Sequence, residues 1–164
     1  MFDRRLPSSV VAAESLAVDV RQYAVVTDQE GRLLVLQYPP LYEIDARNRW
    51  TLPGGALLRK EDPRAGIFRE LSEQTGLEPE LGLHVRVHRG VRRAGLWVFY
   101  RGFAVETAVK LSPEHQGVAW VGGDEFRDLP FFVDKLKDVA AEMLLPDRVQ
   151  WLPSAAKRSM IPIG

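Results

Sequence analysis

The chain has 164 residues, with 22 basic and 22 acidic side chains and a formal net charge of zero. This length suits one globular domain, and the zero charge argues against nucleic acid or an acidic membrane surface as the main partner. Cysteine is absent, which excludes disulfides, thiol nucleophiles and thiolate metal sites, so any metal must be bound by oxygen or histidine. The longest stretch without a charged residue, 33–42, is too short for a membrane span, and the N-terminus does not read as a signal peptide. A soluble, cytoplasmic protein is expected.

The first predicted element is a β-hairpin. The apolar run within residues 22–27 indicates a strand, residues 28–31 supply turn chemistry, and the run 33–36 indicates the returning strand. Residues 38–48 contain two adjacent prolines and are predicted to form a loop.

The clearest predicted helix lies in the middle of the chain. Asp62 suits the N-cap, Pro63 the first helical position and Gly76 a left-handed C-terminal stop. Apolar and small side chains at helical spacing predict its buried face: Ala65, Phe68, Leu71 and Ser72. Gly66, inside this helix, is expected to cost about 1 kcal/mol relative to alanine.

The second half of the chain predicts a further hairpin, a strand and a helix. Strands are expected at 83–91 and 96–105, paired across a short turn, and at 118–121. A second helix is expected to begin near Pro130, with one face formed by Phe132, Leu136, Val139, Ala140 and Met143. The tail, 146–164, has no clear period and is expected either to be disordered or to pack on this or a partner subunit. The order of elements indicates an α/β or α+β layer structure.

The strongest chemical signal lies on the central helix. Glu70, Glu73 and Gln74 stand at i, i+3 and i+4, so their side chains share one helix face. Two carboxylates and a carbonyl oxygen there suit a hard cation such as Mg²⁺. An isolated acidic pair at this spacing is more often only a solvated helix face.

The segments beside this face strengthen the prediction of a metal site. Glu61 and Arg69 are spaced to tie the preceding loop to the helix. Gly54 and Gly55 allow close backbone approach, which would bring a carbonyl to a metal or an amide to a phosphate. A cation held on a helix face beside a glycine turn is suited to polarising a phosphate and activating a water.

Residues 55–77 resemble the Nudix box, Gly-x5-Glu-x7-Arg-Glu-U-x-Glu-Glu-x-Gly-U, where U is a bulky aliphatic residue. Eight of the nine specified positions match: Gly55, Glu61, Arg69, Glu70, Leu71, Glu73, Gly76 and Leu77. The strand-like segment 50–54 before the box looks like the strand that precedes it in many members. The strand 118–121 with the short helix at 124–126 also looks like a common downstream feature, so the resemblance covers roughly residues 20–145.

The resemblance implies a fold and a reaction. The expected fold is an α/β Nudix-like α/β/α sandwich with a mixed β-sheet, built from a Nudix-like domain at 20–145 between an N-terminal segment, 1–19, and the C-terminal tail. The expected activity is hydrolysis of a nucleoside diphosphate linked to another moiety, by water attack at phosphorus with Mg²⁺ or Mn²⁺. The substrate would be a small nucleotide-type molecule, and a homodimer is the family expectation.

The same resemblance implies roles for individual residues. The metal ligands would be the Gly54 carbonyl, Glu70, Glu73 and Gln74. The expected catalytic set is Glu61, Arg69, Glu70, Glu73 and Glu114. Within it, Glu61 and Arg69 would orient the cluster, and Glu70 or Glu73 would serve as general base. Glu114 precedes the strand 118–121, where several Nudix families place a base, and an exposed loop acid is the alternative.

Gln74 departs from the pattern, which has a second glutamate at this position. Glutamine keeps the shape and one carbonyl oxygen but loses a negative charge and one ligand oxygen, so weaker metal binding is expected. Three accounts are open: a natural variant with reduced or altered activity, a non-catalytic Nudix-like module, or an engineered replacement. The rival function is therefore a catalytically impaired module that binds a nucleotide or a partner protein. A weaker option is an interaction protein that uses the tail.

Two further groups of residues are candidates for substrate contact. The arginines of the second hairpin suit phosphate recognition, although alternation in this hairpin is also typical of a half-exposed strand: Arg86, Arg89, Arg92, Arg93 and Arg101. Aromatic side chains could stack on a base, although each is more often a core residue: Tyr38, Tyr42, Trp50, Trp97 and Phe99. The loop 38–48 and the second hairpin are expected to select the substrate, which the sequence does not identify.

Overall fold

The computed structural model describes residues 18–40, 46–91, 95–144 and 151–152. Within them the elements are β1 (Asp19–Thr27), β2 (Leu33–Gln37), β3 (Trp50–Thr51), β4 (Gly54–Ala56), α1 (Pro63–Thr75), β5 (Glu80–Arg89), β6 (Gly95–Phe103), β7 (Gly117–Val121), α2 (Gly123–Asp128), α3 (Asp134–Met143) and β8 (Trp151–Leu152). The candidates Tyr42, Arg92 and Arg93 lie outside the described residues, as do the N-terminal segment up to residue 17 and most of the tail. The proposed division into domain and terminal segments therefore stays a prediction.

The strands form one mixed sheet in the order β3-β2-β1-β6-β5-β8, with β4 paired to β1 and β7 paired to β2. β1 and β6 run parallel over their whole lengths, from the pair Asp19↔Gly95 to the pair Thr27↔Phe103. The other pairings between strands are antiparallel. The prediction of a mixed sheet is confirmed.

Helices cover both faces of this sheet. Successive side chains of a strand point to opposite faces, so on β1 Tyr23 and Val25 pack against the α2 and α3 side while Ala24 and Val26 pack against the α1 side. The continuous apolar run in β1 follows from burial on both faces. The predicted α/β/α sandwich is confirmed.

The first predicted hairpin is confirmed in its turn and in its antiparallel pairing, but this pairing is limited to one residue pair. The turn forms as predicted, with Gly31 at φ 75° and the Asp28 carboxylate accepting from the amides of Glu30 and Arg32. The two strands meet only at the pair Thr27↔Leu33. Beyond this pair β1 lies between β4 and β6, while β2 lies between β3 and β7.

The predicted ends of α1 are confirmed. The Asp62 carboxylate accepts from the amides of Arg64 and Ala65, and Gly76 adopts φ 68° at the C-cap. The predicted buried face is partly wrong, because Ala65 and Ser72 are exposed. Leu71 is buried as predicted, and Phe68 packs against the core. The other buried residues of the helix are Gly66, Ile67, Gln74 and Thr75.

Gly66 is a packing requirement, not a fault in the helix. A Cβ at this position would lie 2.7 Å from Gln22 Oε1, 2.9 Å from Leu57 Cδ1 and 3.0 Å from Glu61 Oε2. Gln22 is fully buried and is held by its amide, which donates to Pro63 O at 2.6 Å and to Tyr100 Oη at 2.8 Å. The absent side chain therefore lets α1 approach β1 closely.

The predicted second helix begins four residues later than expected. Trp50 N donates to Pro130 O at 2.9 Å and Phe132 N donates to Trp50 O at 2.9 Å, so this segment extends alongside β3. Phe132 precedes the helix and is not part of its face, whereas Leu136, Val139, Ala140 and Met143 are buried as predicted. The strands β5, β6 and β7 match their predictions to within three residues at each end.

No helix within the described residues is both long enough and apolar enough to cross a membrane.

Candidate functional site

Two glycines in β4 set the geometry of the site. Gly54 adopts φ 147°, and a Cβ there would lie 2.0 Å from Gln22 O on β1. A Cβ on Gly55 would lie 2.5 Å from Glu70 Cδ. The first glycine therefore permits close packing of β4 on β1, and the second lets the Glu70 carboxylate rest directly on the backbone of β4.

Arg69 joins three carboxylates and the loop that precedes α1. Its Nε donates to Glu61 Oε1 at 2.7 Å, and its Nη1 donates to Glu70 Oε1 at 3.0 Å and to Glu73 Oε2 at 3.2 Å. Its Nη2 donates to Glu61 Oε2 and to Ala56 O, both at 3.2 Å. The hydrogen bond with Glu61, reinforced by Glu70, raises the pKa of Arg69 above its ordinary value. We refer to Glu61, Arg69, Glu70 and Glu73 as the Arg69 cluster.

Glu61 ties this cluster to the loop, as predicted. Besides Arg69, its Oε2 accepts from the Leu58 amide at 3.0 Å. The hydrogen bond from Arg69, followed by that from Leu58, lowers the pKa of Glu61. Glu61 therefore stays ionised and positions Arg69.

Glu70 is the most buried carboxylate of the cluster, with 14% of its side chain exposed. Burial raises its pKa above the ordinary value, Arg69 offsets part of that increase, and the charges of Glu73 and Glu114 raise the pKa further. A carboxylate in this state is stabilised by additional positive charge. Glu73, with 60% of its side chain exposed, faces solvent beside it.

Gln74 is buried and makes a paired contact with the backbone of Gly54. Its Oε1 accepts from Gly54 N at 2.9 Å, while its Nε2 donates to Gly54 O at 2.8 Å and to Glu70 Oε2 at 3.1 Å. The reverse amide orientation would place oxygen against two acceptors. The side of Gln74 that faces Glu70 is therefore a hydrogen-bond donor, and its role as a metal ligand stays a prediction.

Glu114 and His115 lie in the loop that precedes β7. Glu114 is exposed, and its charge contributes to the raised pKa of Glu70. His115 is buried and stacks on Tyr38 with ring centroids 5.6 Å apart. Glu114 therefore acts electrostatically on the predicted site, and its role as a base stays a prediction.

We expect His115 to make part of the folding stability depend on pH. Burial lowers its pKa from 6.5, so the unfolded chain takes up this proton at a higher pH than the folded chain. The contribution is fully present above pH 6.5 and is lost as the pH falls through the lower folded pKa. Urea unfolding at pH 7.5 and at pH 5.0 measures the free energy of unfolding. On acidification this free energy should fall less for His115→Gln than for the unsubstituted chain. Equal losses in the two proteins would contradict this account.

A cleft of about 660 Å³ lies against the loop that the Arg69 cluster holds. Its lining comprises Val18, Asp19, Val20, Arg21, Tyr23, Tyr38, Ala56, Leu57, Leu58, Arg59, Gly95, Trp97, Phe132 and Val133. The link to the cluster is direct, since Ala56 O accepts from Arg69 and Leu58 N donates to Glu61. Sequence reasoning missed Arg21 and Arg59, because no spacing marks them and only the fold brings β1 beside the loop.

Three of the arginines predicted to contact substrate lie within the described residues, and none of the three lines this cleft. Arg101 is partly buried and donates to Val25 O and Gly102 O, so it has a structural role in the sheet. Arg86 lies 3.6 Å from Glu142 on α3. Arg89, on β5, is exposed.

The aromatic candidates divide into two groups. Tyr38 and Trp97 line the cleft. Phe99 is fully buried in the core, and Trp50 packs against the core. Tyr23, which sequence reasoning did not single out, also lines the cleft, and burial raises its pKa to about 12.

The carboxylate and carbonyl oxygens of the site are the kind of ligand atom that a hard cation prefers. Among the described residues, no group of three or more histidine, cysteine, aspartate or glutamate side chains is arranged to hold a metal ion. Glu70 and Glu73 nevertheless share one guanidinium nitrogen, and Gly54 O lies on the same side of Gln74 as Glu70. Mg²⁺ usually takes one or two carboxylates and keeps several waters. These oxygens therefore fit a hydrated divalent cation.

The sequence is similar to a known protein family and to individual proteins. The family model of the NUDIX domain matches residues 19–143. A MutT-like protein of Streptomyces ambofaciens is 30% identical over 101 residues, 62% of each chain, so less than two thirds of that relative is spanned. The CTP pyrophosphohydrolase of Escherichia coli (strain K12) is 26% identical over 109 residues, 65% of this chain and 78% of that one.

The fold is also similar to that of the NUDIX domain of Shewanella oneidensis NrtR, solved with ADP ribose. The TM-score is 0.64 at 19% sequence identity, covering 85% of this chain and 99% of that one. The family match runs from the first residue of β1 to the last residue of α3 and includes the whole Arg69 cluster. The chain therefore belongs to the NUDIX domain family.

Proposed function

We propose that this protein is a Mg²⁺- or Mn²⁺-dependent pyrophosphohydrolase that cleaves a nucleoside diphosphate linked to another moiety. One observation carries the proposal: the Arg69 cluster is hydrogen-bonded to the same loop that lines the large cleft. A substrate in this cleft would have its phosphates beside the carboxylates of α1. Members of the family generally use divalent metal ions, and the similar protein of Escherichia coli is named a CTP pyrophosphohydrolase.

Three groups of the chain hold the cation in this proposal. They are the Glu70 carboxylate, the Glu73 carboxylate and the Gly54 carbonyl. A bound divalent cation polarises phosphate oxygens and makes a water more acidic. Glu61 fixes Arg69, and Arg69 orients Glu70 and Glu73 through one guanidinium nitrogen. Because Gly55 has no side chain, the Glu70 carboxylate stays against β4.

The cleft supplies substrate contacts of two chemical kinds. Arg21 and Arg59 bring guanidinium groups that suit the phosphates, whereas Tyr38 and Trp97 bring aromatic surfaces that suit a base. This combination favours a nucleotide-type substrate. The complex of the similar NrtR domain with ADP ribose supports the same class.

Hydrolysis of the diphosphate requires a carboxylate that accepts a proton from the attacking water. The water oxygen forms a bond to phosphorus, the bridging P–O bond breaks, and its electron pair leaves with the departing phosphate. The proton released by the water goes to Glu114, which is exposed and close enough to affect the pKa of Glu70. Glu73, the exposed member of the cluster, is the alternative acceptor.

The test is product release from a panel of ADP-ribose, a reduced nicotinamide dinucleotide, a dinucleoside polyphosphate and nucleoside triphosphates. The panel is run with Mg²⁺, with Mn²⁺ and with EDTA, on the unsubstituted chain and on Gln74→Glu. Turnover that requires a divalent ion is expected. Gln74→Glu should increase it at least about tenfold at fixed Mg²⁺, since groups around a metal typically change activity by 10- to 100-fold. Hydrolysis undiminished in EDTA would overturn the metal assignment.

The second candidate is a module that binds a nucleotide without cleaving it. The observation that favours it is the Gln74 amide, which places a donor where the box has a carboxylate. If the unsubstituted chain and Gln74→Glu both bind a nucleotide in equilibrium dialysis and neither hydrolyses it, this candidate replaces the enzyme proposal.

A homodimer and a cytoplasmic location also stay proposals. Light scattering on the full chain would test the dimer: a mass near twice 18.5 kDa is expected, and a monomer over the whole accessible concentration range would reject it.

A further inference from the structure

We propose that Gln74 takes the place of one divalent cation. Its amide nitrogen takes one lone pair of the Gly54 carbonyl and Oε2 of Glu70, where a second cation would otherwise bind, so the chain binds only the cation of the proposed function, one fewer than its Gln74→Glu variant. The inference rests on the proposed function in treating Glu70 as a metal-binding carboxylate. It assigns Gln74 as a positioning residue instead of a ligand.

The first argument is the geometry around the amide nitrogen. Gln74 Nε2 lies 2.8 Å from Gly54 O and 3.1 Å from Glu70 Oε2, and both are acceptors. A carboxylate at position 74 would put a second oxygen near these two oxygens with no proton between them. Only a cation or a bound proton would then make the arrangement favourable.

The second argument is the charge balance. The Arg69 cluster contains three carboxylates and one guanidinium, all joined by direct hydrogen bonds. Three negative charges and one positive charge leave a net charge of minus two, whereas a glutamate at position 74 would make it minus three. The glutamine therefore removes one unit of the negative charge that draws a cation to the site.

The third argument is burial. Gln74 is 6% exposed, and its Oε1 is held by the Gly54 amide at 2.9 Å. Water has little access to replace the contacts of the amide, so both ends of this side chain are paired within the protein. A buried polar group satisfied in this way keeps its orientation, because breaking the contacts leaves unpaired donors and acceptors.

Metal binding provides the main test. Mn²⁺ bound per chain is counted by electron paramagnetic resonance for the unsubstituted full chain, for Gln74→Glu and for Gln29→Glu. Gln29→Glu makes the same charge change in the exposed β1–β2 turn and serves as the matched control. We expect Gln74→Glu to bind one more Mn²⁺ per chain than the other two proteins. Equal numbers in all three would overturn the proposal.

Thermal unfolding gives a second readout. In EDTA the Tm of Gln74→Glu should fall below that of the unsubstituted chain, and saturating Mg²⁺ should restore it. Mg²⁺ should shift the Tm of the unsubstituted chain and of Gln29→Glu by less. A Gln74→Glu protein as stable in EDTA as the unsubstituted chain would count against the proposal.

If Gln74→Glu does not fold even with Mg²⁺, the unsubstituted chain decides the question. The side-chain NH₂ signals of Gln74, identified by their absence in Gln74→Met, should exchange slowly with solvent and stay slow at saturating Mg²⁺. Faster exchange on adding Mg²⁺ would mean that the amide leaves its partners for the ion, and would overturn the proposal.

None of these readouts requires turnover, so the two proposals can fail separately. If no panel substrate is hydrolysed but Gln74→Glu binds one more Mn²⁺, the enzymatic function is rejected and the role of Gln74 is retained. If a panel substrate is hydrolysed and all three proteins bind the same number of Mn²⁺ ions, the enzymatic function is retained and the role of Gln74 is rejected.

Discussion

Replacing Glu70 with glutamine is expected to lower kcat about 10³-fold, because it removes a carboxylate that holds the cation, and a bound cation supplies several kcal/mol of transition-state stabilisation. A second physical reason is that the partly buried Glu70 carboxylate accepts hydrogen bonds from two sides, from Arg69 Nη1 and from Gln74 Nε2. A glutamine has one acceptor and one donor atom, so in either orientation its nitrogen faces a donor. Steady-state kinetics with the panel substrate that turns over fastest would measure the effect.

The matched control for this substitution is Glu78→Gln. Glu78 is exposed and follows the C-cap of α1, so the same chemical change there should leave kcat within about twofold of the unsubstituted value, as for surface changes away from a site. If Glu70→Gln retains more than a tenth of the activity, Glu70 is not the residue on which catalysis depends.

Replacing Gly54 with alanine is expected to destabilise the fold by about 3 kcal/mol or more, at or above the upper end of the usual cost of overpacking. A Cβ at this position would lie 2.0 Å from Gln22 O and 2.8 Å from Tyr23 Cα, and these are backbone atoms that cannot rotate away. The φ of 147° adds strain for any residue with a side chain. Thermal unfolding should show a Tm lower by roughly 6–12 °C for a chain of this length.

Gly123→Ala is the control for the glycine substitution. Gly123 begins α2, and a Cβ there would meet nothing within 4 Å. This variant should unfold within about 0.5 kcal/mol of the unsubstituted chain, as is usual for exposed positions. A Gly54→Ala protein as stable as Gly123→Ala would show that β4 and β1 do not pack as described.

Local signals in the sequence were enough to predict α1. Its ends depend on Asp62, Pro63 and Gly76, whose effects act within one helical turn. The spacing of Glu70, Glu73 and Gln74 at i, i+3 and i+4 similarly predicted that they share one helix face, because helix geometry fixes which side chains are neighbours. Both predictions needed only residues close together in the chain.

Features that depend on distant parts of the chain were not predictable in this way. The parallel pairing of β1 with β6 joins residues 76 positions apart, whereas the expected β1–β2 hairpin pairs at one position. Gly66 looked unfavourable by helix propensity, yet it packs on Gln22 from another element. Arg21 and Arg59 meet at the cleft only once β1 and the loop after β4 are adjacent.

Gln74 shows a third kind of limit. The sequence showed that a carboxylate is missing from the box, and the expected consequence was a weaker ligand. The hydrogen bonds to Gly54 and Glu70 show that the replacement atom is a donor with two specific partners. Which end of an amide faces a neighbour depends on tertiary contacts, so a spacing pattern cannot reveal it.

The central claim, that the carboxylates of α1 support attack of water on phosphorus, is tested most directly by hydrolysis in H₂¹⁸O. The unsubstituted chain is incubated with the fastest panel substrate and Mg²⁺, and the phosphate products are examined by mass spectrometry. The account predicts one ¹⁸O atom in a phosphate product per bond cleaved, with no product in EDTA. Product formed without ¹⁸O in any phosphate, or formed equally well without a divalent ion, would contradict it.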